Sequence, residues 1–460
     1  MLSAAADAAG LSALPRGSIA RQVFVLALPM LGEQFLHLLV GLVDTWLAGH
    51  VSKEATAAVG TGAYMSWFVT LVMALVGTGA GALVSRSIGG GDRETANRTL
   101  NQTVVLALIL GFALGVAIVA TAGLFGAFLG QTPESQRLLT LFIRIDALSY
   151  AGYSLVLLIG GVLRAAGDTR TPMFVMLVVN AVNIVLSAGL VFGWFGPRVG
   201  VAGIAIGTVA ARILGALLLL VILSRGVRGL RLNLRGWAPD LAIMGRVLHI
   251  GLPAAADAGL MWIAHMAFIK IVAHTATGDA ATVNYAAHMI GLRMEAFSYL
   301  PAVAWMTAGA TLVGQYLGAG RPDDAQRAGR QAAVQVAVLC GAIGVAFFVL
   351  AGPIFAAMSS DPDVRAVGVP AFQLMAFAQP VLGVAIVLTG ALRGAGDTRF
   401  TMVASLVGGI CLRIPGAYLG GILLGGGLIG AWCGMWADNL SKFVMGVARF
   451  EQGGWRRVRV

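Results

Sequence analysis

The sequence predicts an all-α polytopic membrane protein, with twelve transmembrane helices arranged as two pseudo-symmetric six-helix bundles. Three observations carry that reading. Charged residues make up 11% of the chain against 58% hydrophobic, whereas a soluble domain carries about a quarter charged residues. Uncharged runs of about 20 residues or more, enough to cross a bilayer as a helix, recur; 104–129 and 172–196 are two of them. The octapeptide LRAAGDTR at Leu163 returns with one change as LRGAGDTR at Leu392, an offset of 229 residues.

The spans follow in order between polar breaks. The first, 22–48, opens on LALPMLGEQ with Pro29 in its early turns. The second, 56–84, runs into the break GGGDRETANRTLNQ. The third, 98–129, holds one uncharged run, and the fourth, 137–163, ends in the octapeptide. The fifth, 171–194, holds the other uncharged run. The sixth, 199–224, ends at SRGVRGLRLNLRGWAPD (224–240), the longest basic connection. The order then repeats. Span 243–274 opens on HIGLPAAAD with Pro253, 281–316 runs into GAGRPDDAQRAGRQ, and 328–357 follows. Span 366–392 ends in the second octapeptide, and 400–424 and 427–449 close the set.

Gly89 and Gly318 share the 229-residue offset, so the chain reads as a tandem duplication of a six-helix unit. An even number of spans per copy sets both copies the same way up, related by a pseudo-two-fold along the membrane normal. The expected organisation is a tail at 1–21, a lobe at 22–224, a linker at 225–242, a second lobe at 243–449 and a basic tail at 450–460. The linker also suits a basic segment lying on an anionic leaflet. The 63 glycines fit close helix approach in lipid.

Orientation comes from the loops. With the N-terminus inside, the outside segments hold only Lys53, Arg137, Arg198 and Arg365. The inside segments hold Arg16, Arg21, Arg86, Arg93, Arg98, Arg164 and Arg170 in the first half alone. This positive-inside bias places both termini in the cytoplasm, with the chain in a bacterial inner membrane. It also accounts for the net charge of +11 without nucleic acid, because the basic residues are spread over short loops. The region 1–18 has no leading basic cluster and reads as a tail, not a cleaved signal. The three cysteines lie in apolar runs and build no disulfide framework. No HExxH, CxxC or GxxxxGK[ST] is present, so an ion gradient is the expected energy source and no cofactor is expected.

GLVDTWLAGH in the first span, GLPAAAD in the seventh, TLVGQYLGAGRPDDA after the eighth, LRGAGDTRFTM after the tenth and LRIPGAYLG in the eleventh together resemble the multidrug and toxic compound extrusion (MATE) transporters, closest to the bacterial DinF-type branch. The resemblance covers nearly the whole chain. It implies the MATE/MOP-type arrangement of two six-helix bundles. It also implies efflux of cationic or amphiphilic drugs in exchange for H⁺ or Na⁺, by a monomer among membrane lipids.

A charge in the bilayer core costs about 2.5–3.5 kcal/mol on insertion scales, so each needs a reason. Asp44 in the first span matches, by resemblance, the acidic cation or proton site of the family's N-terminal lobe. A carboxylate in apolar surroundings resists ionisation and so exchanges protons near neutrality. Asn183 matches the family asparagine beside it. Ser187 stands one turn on, where many relatives carry aspartate, and Thr208 matches a family threonine. Asp44, Asn183 and Thr208 are also a possible Na⁺ site. One carboxylate, an amide and two hydroxyls make a weak Na⁺ cage, which favours H⁺. The same three polar residues equally suit plain interhelical hydrogen bonding.

Aligning Pro29 with Pro253 pairs Glu33 with Asp257 and Asp44 with Phe268, so the first-span carboxylate has no mirror image. Glu33, Asp257 and Glu295 are candidates for a secondary acidic pocket. Gln34, Tyr64, Met65, Trp67, Met261 and Met289 are candidate cavity lining, soft walls for flat organic cations, and suit helix packing or lipid contact as well. The octapeptides read as cytoplasmic turns, with Asp168 and Asp397 capping the helices that follow. Two other functions compete. A lipid-linked oligosaccharide or lipid-precursor flippase shares the architecture but calls for a predominantly cationic cavity. An intramembrane enzyme calls for an acid–base constellation that His37 and His265 do not form.

Overall fold

The computed structural model describes residues 17–128, 132–233 and 237–458. Most of the expected N-terminal tail, linker positions 234–236 and the last two residues lie outside the described residues. The helices are α1 (Ile19–Gly49), α2 (Lys53–Gly89), α3 (Arg93–Phe128), α4 (Pro133–Ala147), α5 (Tyr150–Ala165), α6 (Arg170–Phe192) and α7 (Val201–Arg225). There follow α8 (Leu241–Val272), α9 (Asp279–Gly318), α10 (Pro322–Met358), α11 (Pro362–Gly394), α12 (Thr398–Leu423) and α13 (Gly427–Gln452). Ten of them are long and apolar enough to cross a membrane.

Two spans depart from the expected pattern. The fourth is broken into α4 and α5, bent by 56°. At the break the Ser149 hydroxyl donates to the Asp146 carbonyl at 2.7 Å, offering the backbone an alternative to the helical ladder. With α4 and α5 taken together, eleven spans pass. The twelfth, α13, has the length but carries Asp438, Lys442, Arg449 and Glu451. Its charges are spent on neighbours: Asp438 pairs with Arg413 at 2.9 Å and with Lys442 at 2.7 Å.

Backbone conformation repeats with the duplication. Gly91 and Gly320 turn the chain after α2 and α9 at φ 76° and 70°, and Gly167 and Gly396 do so inside the two octapeptides, both at φ 88°. L side chains rarely adopt that region, so glycine is written at each point.

Two compact units form. One is built from 32–251, the other from 14–31 and 252–460. The division falls inside α1 and α8, so each unit contains the leading turns of the other copy's first helix. In the second unit, Tyr316 donates to Gln22 at 2.7 Å and Gln335 donates to the Ala20 carbonyl at 2.8 Å. In the first, α8 lies so close to α2 that a Cβ on Gly251 would meet the Leu75 carbonyl oxygen at 1.6 Å.

The linker is strapped to the start of α3. Asn97 accepts from the Arg231 N–H at 2.6 Å and donates to the Gly229 carbonyl at 3.2 Å. Asn101 accepts from the Asn233 N–H at 3.2 Å, and Gln102 donates to the Ala238 carbonyl at 2.9 Å. The polar residues of GGGDRETANRTLNQ therefore hold the connection between the copies. Asp240 accepts from the Ile243 N–H and from Arg98, and these bonds hold its carboxyl below the usual carboxylate range. Its contribution is present above about pH 4 and is lost only as pH falls through that lowered value. Asn97→Ala removes two of these bonds, worth about 1 kcal/mol each at most. Trypsin cleavage within 225–235 is expected to speed up several-fold, read by limited proteolysis; unchanged cleavage would mean the strap adds nothing.

Candidate functional site

Asp44, Asn183, Ser187 and Thr208 meet inside the first unit, all buried. Asn183 and Ser187 sit one turn apart on α6, and Ile204 and Thr208 one turn apart on α7, so each pair shares a face. The Thr208 hydroxyl donates to Asp44 Oδ2 at 3.2 Å or to the Ile204 carbonyl at 3.0 Å; one proton serves both directions. Asn183 Nδ2 donates to Thr208 Oγ1 at 3.0 Å and to Ser187 Oγ at 3.4 Å. Ser187 in turn donates to the Ile204 carbonyl at 3.3 Å.

Two acceptors are left over. Asp44 Oδ1 and Asn183 Oδ1 are buried and find no hydrogen-bond donor among the described residues. A buried acceptor without a donor is destabilising by about 1–3 kcal/mol, and more when it is charged. A carboxylate oxygen and an amide oxygen facing an unmet need are a hard-donor set that suits a proton or an alkali cation. Among the described residues, Asp44 is the carboxylate that the hydrogen bonds of Thr208 and Asn183 surround in this cluster.

Glycine makes the cluster possible. A Cβ on Gly207 would lie 2.2 Å from Ser187 Oγ and 2.7 Å from its backbone nitrogen. The absent side chain lets α7 press against α6 and brings Thr208 under Asn183. Gly207→Ala is expected to force the helices apart at a cost of about 1–3 kcal/mol and to lower transport with it. Gly81→Ala, at an open position on α2, is the matched control. Thermal unfolding and transport on the same preparations check both; equal behaviour of the two variants would remove Gly207 from the argument.

A second polar cluster lies next to the first, and sequence reasoning did not assemble it. Arg212, one turn after Thr208 on α7, donates to Asp146 Oδ1 at 2.8 Å and to Ser149 Oγ at 3.1 Å through Nη1, and to Ser66 Oγ at 3.1 Å through Nη2. Its guanidinium carbon sits 4.2 Å from the centre of the Tyr153 ring. The available signal was the i, i+4 spacing of Thr208 and Arg212 on an otherwise apolar helix.

The expected acidic pocket of Glu33, Asp257 and Glu295 takes a different form. Glu33 binds Arg164 at 2.5 Å, with His37 3.8 Å away. Asp257 binds Arg393 at 2.5 Å. Both arginines are the second residue of an octapeptide. The turns therefore each send a cation inward onto a carboxylate four residues past a helix proline, a contact their reading as cytoplasmic turns did not include. Asp168 accepts from the Thr171 N–H at 3.1 Å, as a cap should, while Asp397 instead takes Arg449 at 2.8 Å.

Glu295 lines a small pocket in the second unit with Gln379, Phe372, Met375 and Trp432. Of the candidate lining residues, Met261 lies outside that cavity, its sulfur 2.8 Å from Lys442 Nζ, and Met289 also falls outside it. Tyr64 and Trp67 are exposed, and Gln34 and Met65 are partly buried. Phe268, standing where the duplication aligns Asp44, is buried in an apolar cluster with Phe347, Phe372 and Trp432. Arg413 lies 5.8 Å from its ring centre. The second copy thus carries an aromatic ring in place of the carboxylate.

Comparison with known proteins follows the same halves. The MatE family model matches residues 29–188 and 253–419. The chain is 30% identical over 441 residues to a probable multidrug resistance protein NorM of Thermotoga maritima, covering 95% of this chain and 94% of that one. It is 25% identical over 445 residues to the multidrug resistance protein MdtK of Pectobacterium atrosepticum, covering 94% and 95%. Among solved structures, a MATE protein in a straight conformation superposes with a TM-score of 0.86 at 19% identity, covering 95% and 97% of the two chains. An outward-facing multidrug resistance MATE family transporter of the MOP superfamily gives 0.82 at 20% identity, covering 95% and 97%.

Proposed function

Because the chain belongs to the MatE family of integral membrane transporters, we propose that it is a secondary multidrug antiporter, expelling cationic or amphiphilic drugs from a bacterial cytoplasm in exchange for H⁺ or Na⁺. It works in the inner membrane with both termini cytoplasmic, as a monomer, since one chain supplies both six-helix copies. The curated relatives named above are multidrug resistance proteins, which supports a drug-sized cargo. Members of this family are transporters and not enzymes.

The observation that carries the exchange is the pair of orphaned oxygens, Asp44 Oδ1 and Asn183 Oδ1. An ionised, unpaired carboxylate in a desolvated cluster is unstable. A proton or a sodium ion relieves it, so cation binding changes the free energy of the conformation that buries Asp44. A ligand shifts an equilibrium by the difference in its affinity for the two states, and that difference is what outward drug movement draws on. The hydroxyl oxygens of Thr208 and Ser187 each already accept from Asn183 Nδ2, which leaves fewer free lone pairs for Na⁺ and favours H⁺.

The test is ethidium movement in proteoliposomes under an imposed pH gradient, and then under a Na⁺ gradient at fixed pH. Proton coupling gives uptake or release that follows the pH gradient and ignores Na⁺. A response to Na⁺ at fixed pH assigns sodium instead. Flux indifferent to both gradients overturns the proposal.

A further inference from the structure

The buried acids of the first unit are not equivalent. Glu33 has Arg164 and Asp146 has Arg212. Asp44 has no basic partner within ion-pair distance among the described residues, although Arg212 sits one turn from the threonine that bonds it, close enough for its charge, and that of Asp146, to act on Asp44. A guanidinium is a permanent charge on a long side chain. Side chains four residues apart on a helix face lie about 5–6 Å apart at Cβ, so Asp44 is within the reach of such a side chain. What keeps Arg212 elsewhere is visible. Asp146, Ser149 and Ser66 accept from it, and the face of Tyr153 lies against it. Of these only Asp146 supplies a countercharge.

We propose that Asp146 is a positioning residue for cation exchange: it sequesters the Arg212 guanidinium, so that the neighbouring Asp44 stays free for the coupling cation. This rests on the reading of Asp44 as the exchange site. Without Asp146, Arg212 would be a buried cation seeking a carboxylate, and Asp44 Oδ1, next to it in the same unit, has no hydrogen-bond donor among the described residues. A charge-assisted, two-pronged pair there would compete with the mobile cation at every cycle. The bend between α4 and α5 places Asp146 in the last turn of α4 with Ser149 just beyond it, so the break in the fourth span is what aims both acceptors at Arg212.

The proposal predicts a rescue. In proteoliposomes, Asp146→Asn should raise the half-saturating concentration of the coupling cation by about tenfold or more, as expected for a competing charge a few ångströms from the site. The double variant Asp146→Asn with Arg212→Gln removes the competitor and should return that constant to within about threefold of wild type. The double is neutral at both positions and tests the claim even if Asp146→Asn alone fails to fold. A folded, monodisperse double variant whose cation constant is not restored overturns the proposal, as does an Asp146→Asn protein that behaves as wild type. Asp44→Asn separates the two readings. If it retains full coupled transport, the exchange site was misassigned; if it is inactive while Asp146→Asn is normal, only the role of Asp146 falls.

Discussion

Asp44→Asn is expected to abolish gradient-driven drug efflux, with a fall of about a hundredfold or more, equivalent to ~2.7 kcal/mol. The same substitution should leave the protein at least as stable as wild type. The two outcomes together are the point. Asparagine keeps the shape and an oxygen for the Thr208 hydroxyl, which approaches Asp44 Oδ2 at 3.2 Å. Its amide N–H₂ group also supplies a donor where Asn183 Oδ1 now has none. A buried, unpaired negative charge is thereby replaced by a satisfied neutral group, a change that favours folding. A merely structural carboxylate would show the reverse, with stability lost and transport falling only in proportion. Efflux by reconstituted protein and thermal unfolding in detergent, on one preparation, decide between them. Wild-type coupling in Asp44→Asn would remove Asp44 from the mechanism.

Asp44 was legible because its surroundings are local in kind. It is an acid in an apolar span, and the resemblance singled out Asn183 and Ser187, one turn apart on α6, and Thr208 on α7. The helices were legible for the same reason, since uncharged runs and basic loops are one-dimensional signals. Ion pairs across the fold are not. Glu33 and Arg164 lie 131 residues apart and Asp257 and Arg393 lie 136 apart, and nothing along the chain ties one to the other. The octapeptide's arginine was therefore read only as one more cation of an inside loop. The break at Ser149 was hidden because serine in an apolar run is compatible with an unbroken span; only the Asp146 carbonyl and Arg212 show why the helix stops there. The charges of α13 were visible, but their neutralisation by one another and by Arg413 was not, so its lower hydropathy had no explanation until the pairs were placed. The pocket beside Glu295 depends on three helices, α9, α11 and α13, converging, which periodicity does not encode.

Arg393→Ala is expected to be the most destabilising single change in the second unit, by about 3–5 kcal/mol. Asp257 is 1% exposed at its side chain, and Arg393 is its ion-pair partner. Removing the guanidinium leaves a desolvated carboxylate whose other oxygen already lacks a donor. Arg164→Ala in the first unit should lose less, because Glu33 keeps a second polar neighbour, the His37 ring nitrogen 3.8 Å away. The order Arg393→Ala below Arg164→Ala is thus a sharper expectation than either loss alone. Duplication supplied both turns with the same residues, and the histidine of one copy is what separates them. The neutral double variant Asp257→Asn with Arg393→Gln should regain most of the lost stability, since it is the uncompensated charge, and not the missing contact, that does the damage. Monodispersity and thermal midpoint across the three variants measure this. If Arg393→Ala matches wild type, or if the double is no better than the single, the inward-facing arginine is not what the carboxylate requires, and the octapeptide returns to being a turn.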